Sequence, residues 1–164
     1  MPRNWLARVT VAAVAISVPA TAISGIAFEG RAQAATAVTW NMAAAAKAGK
    51  LVGIPYVYGG TSLAGFDCSG LTQWVYKHTG HGKSIARTSE EQYLQFKPVS
   101  HADARPGDLV FFHETSNPGS YVYHVGVYEG GDDMVAATTY GEGVQFQSFT
   151  WAGDTVTFGT VTHS

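Results

Sequence analysis

The chain has 164 residues, enough for one domain with a full core and no disulfide staples. Hydrophobic residues make up 46% and charged residues 13%, which excludes a disordered chain; a formal charge of −2 with no basic patch argues against a nucleic-acid partner. The single cysteine, Cys68, excludes an internal disulfide framework and a four-thiolate zinc site.

Residues 1–34 read as a secretory signal. Arg3 and Arg8 give a basic start, Val9 to Ile26 is apolar with a break at Pro19, and Ala32-Gln33-Ala34 is a small-x-small cleavage site. The apolar run is rich in Ala, Thr and Ser and holds Pro19 and Gly25, which disfavours a membrane anchor. Cleavage removes Arg3, Arg8, Arg31 and Glu29. That leaves 7 basic and 11 acidic residues, a net charge of −4, on a single secreted domain over 35–164.

Thr39 to Val52 is alanine-rich and predicts a helix stopped by Gly53-Ile54-Pro55. Tyr56 to Gly60 predicts a short extended piece, and Thr61 to Phe66 a loop. Asp67 is a good N-cap for a second helix to His78, with Leu71, Trp74 and Val75 as its apolar stripe. Thr88 and Glu91 have capping-box spacing and open a third helix to Phe96. After Pro106-Gly107 the period becomes that of strands: Asp108–His113, Tyr121–Glu129, Met134–Thr139, Val144–Phe149 and Thr155–Thr162. Helices followed by strands predict an α+β fold, with the helices packed on a five- to six-stranded antiparallel sheet.

Asp67-Cys68-Ser69-Gly70 places the only thiol on the first turn of a helix. Free N–H groups and the dipole there are expected to lower its pKa, and Gly70 to leave room for a substrate. A thiolate needs a base. His124 lies in a strand whose alternation puts His124, Gly126 and Tyr128 on one face, with open space expected beside the histidine at Gly126. His78 and His81 flank a helix end and read as solvated; His101 and His163 sit in polar or terminal stretches.

Three blocks, Pro55 to Gly60 with Phe66 to Leu71, Arg105 to Phe112, and His124 to Tyr128, resemble the NlpC family of bacterial cell-wall cysteine peptidases. The resemblance spans roughly residues 40–160 and implies a papain-like fold. It implies Cys68 as nucleophile and His124 as general base. It implies Tyr56 beside the oxyanion, Asp67 and Ser69 near the substrate's amine end, and Arg87 by the groove. It also implies a peptidoglycan stem peptide or muropeptide as substrate, cut between D-γ-glutamate and a diamino acid, with no cofactor, no metal and a monomeric enzyme. The family's usual third polar residue falls at Ala136 here. His113, Thr138 or Gln145 stand as substitutes, or a backbone carbonyl or water holds the base. A thiol amidase or acyltransferase and a catalytically weak groove-binding module are the alternative functions, and Tyr121-Val122-Tyr123 is the segment that could reshape the groove.

Overall fold

The computed structural model describes residues 40–80, 82–139 and 142–160. The segment read as a secretory signal, Thr39, His81, Gly141, His163 and the end of the last expected strand lie outside them. The alanine-rich stretch forms a helix over 40–49, here α1, which buries Ala44, Ala45 and Ala48. It ends before Val52, because the chain turns at 50–53 and Gly53 adopts φ 93°.

Two short strands follow, β1 (Thr61–Ser62) and β2 (Gly65–Phe66), paired antiparallel where a loop was expected. Two residues are too few to show alternation in a sequence. Helix α2 spans Cys68–Lys77 with Asp67 as N-cap and His78 as C-cap. Helix α3 spans Ser89–Gln95, and the Thr88–Glu91 capping box is present.

The sheet contains β3 (Lys97–Val99), β4 (Leu109–His113), β5 (Val122–Gly130), β6 (Asp133–Thr138), β7 (Gly143–Ser148) and β8 (Val156–Thr160). Their order is β3-β8-β4-β5-β6-β7, all neighbours antiparallel. This is the expected α+β architecture at its six-stranded limit. Strand β3 escaped the sequence reading because it holds Pro98, which a sheet tolerates at an edge. A 3-10 helix over Thr150–Thr155 joins β7 to β8.

The sheet is covered on both faces. Leu109, Phe111, Val125, Val127 and Val135 pack toward the helices with Leu71, Val75 and Tyr76. Val110, Phe112, Tyr128, Met134 and Ala136 form a second core with Phe149 and Phe158. The strand alternation places His124 on this second side, where its ring lies 5.2 Å from that of Phe112.

Candidate active site

The first turn of α2 is built around one carboxylate. Asp67 Oδ1 accepts from Gly70 N–H at 2.7 Å, and the Asp67 carbonyl accepts from Leu71 N–H at 2.9 Å. Two first-turn donors remain, the N–H groups of Cys68 and Ser69, and both act on the Cys68 sulfur together with Val125 N–H from β5. The thiol therefore sits where α2 meets β5.

Glycine at position 70 has a different reason from the one expected. A Cβ there would stand 2.0 Å from the Gly60 carbonyl oxygen, so glycine lets two backbones close on each other rather than opening a space for substrate. The space expected at Gly126 is also filled: a Cβ would meet Met134 Sδ at 2.6 Å and Ala136 Cβ at 3.2 Å.

Asp67, Ser69 and Arg87 come together as one network. The Arg87 guanidinium forks onto both carboxylate oxygens of Asp67 and donates to Ser69 Oγ at 2.9 Å. Asp67 Oδ2 also accepts from Gly59 N–H at 3.0 Å. With its oxygens so occupied, Asp67 fixes the turn that carries Cys68.

Cys68, His124, Tyr56 and Thr138 line a shared cleft of about 410 Å³, with Tyr123, Ala137, Thr139, Glu142, Gln147 and Trp151 completing its wall. Asp67, Ser69 and Arg87 are not part of that wall; they form the turn that carries Cys68. Trp151, from the 3-10 helix, stacks on Phe112 with ring centroids 5.2 Å apart and closes the side next to His124.

The electrostatics correct one expectation. Burial pushes the Cys68 thiol up from its ordinary value, the Asp67 charge adds to this, and the three N–H groups offset it only in part. Burial alone lowers His124 to about 4. The resting pair is thus a neutral thiol beside a neutral imidazole rather than the thiolate that the helix position alone suggests. The dipole acts here, and desolvation outweighs it.

The candidates for the third position divide. His113 is buried. Its Nδ1 pairs with Ser120 O at 3.1 Å, its Nε2 with Thr157 Oγ1 at 2.8 Å, and its ring meets Tyr93 of α3. It faces the helices with both ring nitrogens paired, while His124 faces the other side, so His113 does not hold His124. Thr138 Oγ1 accepts from Gln145 Nε2 at 2.8 Å and donates toward Gly143 O at 3.2 Å, which commits both side chains to each other. Ala136 is fully buried and supplies only a methyl group. The sequence reading missed Gln147 and Trp151. The Gln145-x-Gln147 alternation, on the face that carries Ala136, was the signal for the former.

The NlpC/P60 family model matches residues 53–160. A probable endopeptidase of Corynebacterium glutamicum is 41% identical over 106 residues, which cover 65% of this chain and 47% of that protein. The bifunctional muramidase/DL-endopeptidase CwlT of Bacillus subtilis is 38% identical over 116 residues, 68% of this chain and 34% of the relative. This chain thus spans less than half the length of either. The NlpC/p60 domain of the peptidoglycan hydrolase SagA superposes with a TM-score of 0.64 at 34% identity, covering 74% of this chain and 98% of that domain. The peptidoglycan hydrolase RipB of Mycobacterium tuberculosis gives 0.63 at 30% identity, covering 90% and 75%.

Proposed function

The chain belongs to the NlpC/P60 family, and on that footing we propose that it is a secreted cysteine endopeptidase acting on peptidoglycan stem peptides. The observation that carries the reading is the meeting of Cys68, on the first turn of α2, with His124 of β5 in one cleft. The names of its relatives support the substrate. The DL-endopeptidase of Bacillus subtilis supports a bond between a D- and an L-centre, as between D-γ-glutamate and a diamino acid. The basic, apolar and small-x-small pattern of residues 1–34 supports export.

The chemistry follows from the neutral pair. A carbonyl carbon enters the cleft next to the thiol, and neutral His124 takes the thiol proton as sulfur attacks. The C–S bond forms while the oxygen gathers charge, and the donors assigned to it are the N–H groups of Cys68 and Ser69, which act on the adjacent sulfur at rest. Imidazolium then gives its proton to the amine nitrogen, the C–N bond breaks, and the amine leaves. Water, deprotonated by His124, attacks the thioester; the C–S bond breaks, the acid departs and the thiol regains its proton. The Arg87–Asp67 pair holds the turn in place throughout.

Digestion of purified muropeptides by the full chain tests this, with products identified by mass. The expected product pair is a fragment ending in D-glutamate and one beginning with the diamino acid, both absent with Cys68→Ala. Intact muropeptides, or an acyl group transferred to a second amine in place of water, would overturn it.

A further inference from the structure

We propose that Glu142 selects the leaving half of the substrate, by pairing with the distal ammonium group of its diamino acid. The inference deepens the peptidase reading above and rests on it. In that chemistry His124 hands its proton to the departing amine, so the diamino acid lies on the His124 side of the thiol. A diamino acid carries a second nitrogen several carbons along its side chain, and that nitrogen is cationic when free.

Strand register locates what stands on that side. β5 and β6 pair antiparallel through Val127↔Val135. One step along, Gly126 comes beside Ala136, and a Cβ on Gly126 would indeed stand 3.2 Å from Ala136 Cβ. Two further steps bring His124 level with Thr138, and both residues line the cleft. Thr138 Oγ1 and Gln145 Nε2 both reach Glu142 Oε2, at 3.3 and 3.1 Å. The turn from β6 to β7 thus carries a carboxylate to the leaving-group side of the cleft, where Glu142 is part of the wall.

Charge singles this residue out. Among the described residues of the wall Glu142 is the only carboxylate, and none is a lysine or arginine. Asp67, the other carboxylate close to the thiol, is already paired with Arg87 and does not compete for a cation. The bonds from Thr138 and Gln145 hold the Glu142 carboxylate in place through Oε2 without using Oε1. The side chain is exposed, so an incoming ammonium meets it without displacing packed groups and gains a charge-assisted hydrogen bond. A distal nitrogen that is acylated, as in a cross-link between two stems, is a neutral amide and gains no such pair. Glu142 therefore makes the cleft prefer stems whose distal amine is free.

Two muropeptides that differ only at the distal nitrogen, one free and one N-acetylated, test the assignment in the full chain. The native chain is expected to show a KM about fivefold lower for the free amine, with the preference shrinking as salt rises. Glu142→Gln keeps the shape and removes the charge, and the preference is expected to vanish; with Glu142→Lys it is expected to reverse. Equal KM values in the native chain, or a preference that survives Glu142→Gln, would overturn the proposal. Binding decides the case independently of turnover. Calorimetric titration of the Cys68→Ala chain with the same two peptides is expected to give a similar difference of about fivefold, lost when Glu142→Gln is added. A native chain that leaves both peptides intact sinks the peptidase reading, and the titration then rules on Glu142 alone. A difference that depends on the Glu142 charge upholds the assignment; equal affinities, or no binding of either peptide, overturn it.

Discussion

Cys68 sits between opposing influences. The N–H groups of α2 and β5 favour its thiolate, while burial and the Asp67 carboxylate oppose it, and the opposition prevails. Alkylation of Cys68 by iodoacetamide is therefore expected to climb steadily through alkaline pH, with no plateau near neutrality. A plateau extending to pH 5 would mean a preformed ion pair. Arg87 matters because it offsets the charge that opposes the thiolate. Arg87→Ala leaves Asp67 uncompensated next to the sulfur, so alkylation at pH 8 should slow several-fold. Because the Arg87 side chain is 38% exposed, the accompanying loss of stability should stay near about 1 kcal/mol by urea unfolding. Cys68, His124 and the Asp67 cap were legible as residue types in a spacing. Their pKa directions were not, since desolvation depends on what other segments lay over them.

Helix α2 closes on the stretch just before β1 through a backbone contact that admits no side chain. Gly70→Ala would drive a Cβ to 2.0 Å from the Gly60 carbonyl, and both sides of that clash are backbone. The expected cost is about 1–3 kcal/mol, read as a lower Tm, with slower Cys68 alkylation because the first turn must move. Native Tm with native alkylation would show that the turn has slack. At this scale the sequence revealed long, strongly patterned elements: α2, α3 with its capping box, and β4 to β7. It hid the elements that lack a period. Strands β1 and β2 have two residues each, β3 carries a proline, and the 3-10 helix bends at Gly153, which takes φ 58°. The same blindness explains Gln147. Alternating glutamines on an edge strand read as a solvated face, and only the return of Trp151 over the sheet turns that face into the wall of a cleft.

Two groups shifted by burial give the whole molecule opposing responses to pH. His124 is lowered by burial to about 4 from an ordinary 6.5. Between those values the unfolded chain binds more protons, so its contribution to stability is full above pH 6.5 and fades as pH falls toward 4. Glu129 is raised by burial to about 7 from an ordinary 4.5, and its Oε1 is buried without a partner. There the folded chain binds more protons, so stability is full below pH 4.5 and is lost as pH rises through 7. Glu129→Gln should accordingly raise Tm at pH 8 and leave it unchanged at pH 4.5. An equal Tm at pH 8 would place the Glu129 carboxylate in contact with water.

Under the proposed function, Cys68 becomes covalently acylated by a stem peptide in the cleft it shares with His124. Rapid acid quenching of the chain mixed with muropeptide, followed by peptide mass mapping, tests it most directly. The expected result is a thioester adduct on the Cys68 peptide, carrying the acyl half of the substrate ending in D-glutamate, that disappears on longer incubation as free product accumulates. Accumulation of product with Cys68 unmodified at every time point, or undiminished cleavage by Cys68→Ala, would contradict it.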